Sequence, residues 1–306
     1  MLQRLLAMGA ALLLMAGCAT QTRALLATPR SGPHQQELSS TPFYAQERYQ
    51  CGPAALAMLL GSAGIEASPE ALVPEVYIPG REGSLQIELQ AAGRRNGALV
   101  APIQPRMEGL LAELDAGHPV LVLQNLSLPI MPMWHYAVAI GYDIDSGDVI
   151  LRSGTTQRLA MPLSTFEHTW ARSGFWGMVA LAPGQLPATT GLAEMQTALV
   201  DYEKAAPPQS AQLAYRAALA RWPNTLALQL GVGNSAYASG DRKAAAEAYR
   251  SATVAHPENG AAFNNLAVVL GELGQVEQAR VAAQTAIDLG GPWRDEAIAT
   301  MRALSH

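Results

Sequence analysis

Two side chains in this sequence carry the chemistry of thiol-dependent acyl transfer. Cys51 stands at the threshold of an apolar run, Gln46 to Gly61 (QERYQCGPAALAMLLG), and His135 opens the segment HYAVAIGY. A thiol attacks only as thiolate, and an ordinary cysteine titrates at about 8.5, so a site must assist it with an imidazole or the positive end of a helix. The second aid is local: Pro53 suits a first helical turn, and Ala54 to Leu60 are strong helix formers. A helix beginning at Gly52 or Pro53, buried on most sides, is therefore expected directly behind the sulfur. Gly52 would let a substrate approach with no side chain in the way.

The base must come from six histidines: His34, His118, His135, His168, His256 and His306. His135 follows a proline-rich loop (LPIMPMWH) at the start of the strongest strand-like segment, which makes it the best candidate. His118, in the turn AGHP, and His168, beside Trp170, read as structural or exposed. Gln46 supplies an amide able to donate to an oxyanion. Gln50 is the weaker choice, because side chains of adjacent residues on an extended segment point to opposite sides. A lone cysteine can also be an inert core thiol or an intermolecular bridge.

The elements that must position these groups lie between Pro42 and Pro183. Helical patterns cover Glu70 to Val73, Ser84 to Arg95 and Leu110 to Ala116. Strand-like segments follow: Pro119 to Gln124, His135 to Tyr142, Val149 to Arg152 and Phe175 to Leu181. The turn DIDSG (Asp143 to Gly147) joins the second and third as a hairpin. Helices first and an antiparallel sheet afterwards is an α+β layout. The whole chain, 306 residues with 49% hydrophobic and 15% charged, suits two domains rather than one core. A net charge of −5 without a run of Lys or Arg argues against a nucleic-acid partner. No metal or cofactor is expected.

Residues 1–17 read as a signal peptide: Arg4, then an apolar stretch from Leu5 to Met15, too short to span a bilayer. The sequence Met15-Ala16-Gly17-Cys18 resembles the lipobox of bacterial lipoproteins, which implies lipidation of Cys18 as the mature N-terminus. Ala19 in the next position points to the periplasmic face of the outer membrane. Residues 18–41, with no sustained periodicity, are expected to be a lipidated tether. Lipidation would also remove the other cysteine of the chain, leaving Cys51 without a disulfide partner. Past a linker at 184–191, residues 192–306 show a 34-residue period: Pro223 and Pro257, Gly240 and Gly274, Tyr215 and Tyr249, and Ala218, Ala252 and Ala286. This resembles tetratricopeptide repeats, with Trp293 to Leu304 as a cap helix. Such an all-α solenoid implies a protein or peptide partner.

Gln46, Cys51-Gly52-Pro53-Ala54-Ala55, the segment AGHPVLVL and His135-Tyr136-Ala137-Val138 together resemble the papain-fold peptidases that remove double-glycine leaders from bacteriocins. With the lipobox and repeats, the chain resembles an envelope lipoprotein that pairs such a domain, 42–183, with a repeat solenoid. The resemblance implies Cys51 as nucleophile, His135 as base and Gln46 as oxyanion donor. Its third catalytic member is an Asp or Asn on the strand after the histidine hairpin; here Arg152 or Ser153 occupies that place, with Asp143 and Asp148 as alternatives. Gln46 also lies one residue nearer the cysteine than is usual. The implied activity is hydrolysis of a peptide or protein substrate at the cell envelope. The competing reading is a peptidase fold without turnover that binds peptides.

Overall fold

The computed structural model describes residues 19–30, 32–45 and 50–305. Contacts divide the chain into two units, one comprising the residues up to Gly93, Ala101–Ala180 and Pro187–Thr190, the other Arg94–Val100, Leu181–Leu186 and the residues from Gly191.

The first unit opens with helix α1 (Thr20–Ala27) and strand β1 (Gln35–Glu37). Both fall within residues 18–41, expected to be a lipidated tether, and both are docked on this unit. Glu167 accepts hydrogen bonds from the Gln21 and Thr22 N–H groups (3.1 and 2.7 Å), which α1 leaves without intrahelical partners. Arg30 pairs with Asp115 and lies over the Tyr142 ring, 4.8 Å from its centroid. These partners lie far along the chain, so local periodicity could not show them.

Next come α2 (Cys51–Ser62), α3 (Pro69–Val76), the short strands β2 (Tyr77–Ile78) and β3 (Gly83–Ser84), and α4 (Gln86–Arg95). Helix α2 begins at the cysteine itself. Ala54 to Leu60 are buried on every face, as an all-round apolar helix requires, and pack against sheet and hairpin. Strand β4 (Leu99–Pro102), helix α5 (Met107–Asp115), strands β5 (Val120–Asn125), β6 (Trp134–Asp143), β7 (Asp148–Ser153) and β8 (Thr156–Pro162), helix α6 (Leu163–Ala171) and strand β9 (Gly177–Leu181) follow.

The strand order is β4-β9-β5-β6-β7-β8, with β1 antiparallel to the far end of β6. The expected hairpin is present, with Asp143 opposite Asp148. Strand β8 has an exposed, polar-rich face and lies at the sheet edge, which explains why no alternation marks it in the sequence. The second unit holds α7 (Leu192–Glu203), α8 (Pro208–Arg221), α9 (Leu226–Ala238), α10 (Arg242–Ala255), α11 (Gly260–Glu272), α12 (Val276–Leu289) and α13 (Arg294–Ala303). Helices α8, α10 and α12 start at 208, 242 and 276, and α9 and α11 at 226 and 260, so a helix pair repeats every 34 residues. Ala218, Ala252 and Ala286 are fully buried. A side chain at Gly231 or Gly233 would collide with the ring of Tyr215 or Tyr249. The recurrent small residues are thus the points of close helix approach.

Candidate active site

The β5–β6 pairing sets His135 across from Gln124, at the end of β6 where the sheet opens into a cleft of about 1070 Å³. Cys51, Ser84, Trp134, His135 and Tyr136 all line this cleft. The thiol sits at the first turn of α2, where the backbone N–H groups of Tyr136, the residue after the histidine, of Gly52 and of Cys51 itself favour its thiolate. Burial pushes the thiol above its ordinary titration range, and those three N–H groups only partly offset it. Burial alone pushes His135 below the usual imidazole value. Both effects favour a neutral thiol and a neutral imidazole at rest.

His135 Nε2 lies 2.8 Å from Ser153 Oγ. The register of β6 and β7, in which Val138 faces Arg152, sets Ser153 across from Ala137 and diagonal to His135 on one face of the sheet. With Nε2 engaged there, Nδ1 is the ring nitrogen left to exchange a proton. Arg152 does not share this task. Its guanidinium donates to the carbonyls of Ser39 and Thr41, both at 3.0 Å, and to that of Gln157. Asp143 and Asp148 are equally spent, at the opposite end of β6. Asp143 accepts from the N–H groups of Asp145 and Ser146, and Asp148 from the Ser146 hydroxyl. Asp143 lies eight residue steps along the strand from His135, roughly 27 Å of rise.

Gln46 and Cys18 lie outside the described residues. Gln50 is exposed at the N-cap of α2, where its carbonyl accepts from Ala54 N–H. His118 Nδ1 donates to Glu113 Oε2 at 2.9 Å, and His168 is exposed on α6, so neither joins the cleft. Among the described residues no cluster of His, Cys, Asp and Glu could hold a metal ion.

Two contributors escaped the sequence. Ser84, on the β2–β3 hairpin, has a buried hydroxyl with no partner among the described residues. Tyr136 donates its hydroxyl to the Ser84 carbonyl at 3.1 Å and so fixes the hairpin beside the cysteine. Burial, followed by the neighbouring Cys51, pushes this phenol far above its ordinary value and keeps it a donor. The helical pattern expected from Ser84 to Arg95 hid the first of these two contributors: Ser84 ends β3 and the helix begins at Gln86.

Gly52, expected to clear the way for substrate, instead clears it for Ser84. A Cβ there would lie 2.3 Å from Ser84 Oγ and 2.6 Å from Ser84 Cβ. Gly52→Ala is expected to cost about 1–3 kcal/mol through overpacking. Thermal unfolding of Gly52→Ala and of the double variant Gly52→Ala/Ser84→Gly measures this. The second change should restore most of the loss, and an unaltered melting temperature in Gly52→Ala would refute the contact.

Residues 38–178 match the model of the Peptidase_C39 like family. This stretch is a C39-like peptidase domain. A solved C39-like peptidase from Bacillus anthracis is similar at 20% identity over 48% of this chain and 97% of that one, with a TM-score of 0.41. The type III secretion translocator chaperone SycD of Yersinia enterocolitica is similar at 16% identity over 37% of this chain and 83% of its own, with a TM-score of 0.35. The same chaperone in complex with a peptide of the translocator YopD gives 15% identity, 37% and 92% coverage, and 0.35. No curated protein matches the chain. The C39-like domain contains Cys51, His135, Ser153, Ser84 and Tyr136, so the whole cleft chemistry described above falls within the matched stretch.

Proposed function

We propose that this chain is a cysteine peptidase of the bacterial envelope, anchored by lipid on Cys18 and recruiting a protein or peptide through tetratricopeptide repeats. The observation that carries the catalytic reading is the 2.8 Å bond from Ser153 to His135, whose ring lines the same cleft as Cys51. His135 Nδ1 takes the thiol proton as sulfur attacks the scissile carbonyl carbon. The tetrahedral oxyanion is stabilised by N–H groups at the start of α2 and by the Gln46 amide. The imidazolium returns the proton to the leaving amine, and water then hydrolyses the thioester with His135 as base.

Peptide-library digestion with mass spectrometry, together with acid quenching to trap an acyl group on Cys51, tests the proposal. Cleavage that vanishes in Cys51→Ala supports it. Absence of both cleavage and adduct sinks it in favour of a peptide-binding module, the reading favoured by a thiol pushed up and an imidazole pushed down by burial.

Ser153 gives a second test. A hydroxyl orients the ring but offers no charge to an imidazolium. Ser153→Asp is expected to raise the titration of His135 and lower that of Cys51, since a carboxylate favours the neighbouring cation and so the thiolate. Iodoacetamide labelling followed between about pH 6 and 10 should show the wild-type rate rising above the ordinary cysteine value and the Ser153→Asp rate rising at lower pH. Coincident profiles would separate Ser153 from the thiol's activation.

A further inference from the structure

The connection between β5 and β6 carries Leu126, Leu128, Ile130, Met131 and Met133 without one charged residue and runs into Trp134, the first residue of β6, all exposed; Ile130 is 84% and Met131 73% accessible. Folded chains avoid displaying so much contiguous apolar surface unless something covers it. This loop is also built rather than slack. Asn125 Oδ1 accepts from the Ser127 and Met133 N–H groups (3.0 and 2.9 Å), and Leu126 N–H donates to the Met133 carbonyl at 2.9 Å. Arg172 Nη1 clamps the base by donating to the carbonyls of Asn125 and Ser127 (2.9 and 2.8 Å). A fixed scaffold thus holds the apolar side chains out in water.

The docking of helix α1 indicates what covers them. Helix α1 starts at Thr20 and is docked through Glu167, on α6, and Gln21 Oε1 also accepts from Met107 N–H at 2.8 Å. Arg172, which clamps the loop, follows the last residue of the same α6, five positions from Glu167 and about 7.5 Å along the helix axis. Only Ala19 separates Cys18 from the docked helix, so a lipid on that residue would have no slack. It would hold this region of the unit against the headgroup layer.

We infer that the 126–134 loop is a membrane-docking element that inserts into the acyl boundary of the bilayer to which Cys18 is attached. The inference rests on the anchoring half of the proposed function, and two attachments are what stable peripheral binding needs. Trp134, amphipathic and half exposed, suits the interface itself. Pro132, Met133 and Trp134 also line the cleft, so docking would turn the mouth of the site toward the membrane surface.

The test supplies the anchor chemically, so that it does not depend on lipidation in the cell. A chain starting at Cys18 and carrying Cys51→Ala keeps the docked helix and the loop and couples through its one thiol to vesicles of phosphatidylethanolamine bearing a maleimide headgroup. With brominated acyl chains in the vesicles, tryptophan emission is expected to fall. Trp134→Phe should abolish most of that quenching, and Ile130→Asp/Met131→Asp should reduce vesicle partition of the uncoupled chain about tenfold or more. Quenching that survives Trp134→Phe, or partition unchanged by the two aspartates, overturns the inference. So does a rise in KM for soluble peptides in Ile130→Asp/Met131→Asp with active Cys51, which would assign the loop to substrate, or loss of a dimer in sedimentation, which would assign it to a second copy. Failure of Cys18 to carry lipid in cells would refute the anchoring reading alone.

Discussion

His135→Ala is expected to lower peptide turnover by roughly two to four orders of magnitude, the range of a positioned general base. The effect should fall on kcat, with KM nearly unchanged, because the ring touches the reacting proton rather than the bound peptide. Among the described residues the geometry leaves no understudy. His118 is bound to Glu113, His168 is exposed on α6, and the one described carboxylate lining the cleft, Glu82, stands on the exposed turn before β3. The pH profile gives an independent readout. Burial lowers the His135 titration, so the imidazole stays neutral and able to accept a proton to a pH below the ordinary value of about 6.5. The acid limb of kcat/KM in the wild type should therefore lie below that value, and it should vanish in His135→Ala. A residual rate within about tenfold of wild type would remove His135 from the mechanism.

The parts of this site legible in the sequence are those whose meaning is local. An apolar helix with Pro53 in its first turn announces itself, and the helix starts at Cys51, one residue earlier than the expected boundary. His135 stood out because it opens a strongly apolar strand. The place of Ser153 came from resemblance, and its bond to His135 depends on the register of β6 against β7, which no residue type encodes alone. Ser84 was illegible for the same reason: only the fold brings the β2–β3 hairpin against Gly52. Arg152 could be noticed but not understood, because its partners, the Ser39 and Thr41 carbonyls, lie more than a hundred residues away. Helix α1 depends on a carboxylate at Glu167, and without that long-range cap its eight residues are too few to be stable. The 34-residue repeat was legible because each helix pair meets its neighbour through the same small positions, so one interface is written several times.

Glu113→Ala should unfold the protein more readily than any change at the cleft. On an amphipathic helix a glutamate near the C-terminus reads as a solvated charge, yet this side chain is fully buried. Its carboxylate accepts from the Ala188 and Thr189 N–H groups (2.9 and 2.7 Å) and the Thr189 hydroxyl (2.6 Å), and bonds His118 Nδ1 (2.9 Å). It thereby pins the segment Pro187–Thr190 to α5. Removing the acceptor strands several donors at once, for an expected loss of about 3 kcal/mol in chemical denaturation. Glu113→Gln, which keeps one acceptor oxygen but presents an amide where two donors already point, should fall between.

The pH dependence follows from the direction of the shift. Burial would raise the Glu113 titration, but the bond to His118 and those from Thr189 and Ala188 outweigh it and hold the carboxyl below its ordinary value. A folded-state value depressed below the unfolded one of about 4.3 means that the network contributes fully above that pH and is lost as pH falls through the folded value. Wild type should accordingly lose stability more steeply than Glu113→Gln on acidification below about pH 4.3, so that the two converge in acid. A constant gap between them would show that the charge contributes nothing beyond its hydrogen-bonded shape, and a Glu113→Ala chain as stable as wild type would show that Pro187–Thr190 is held by other contacts.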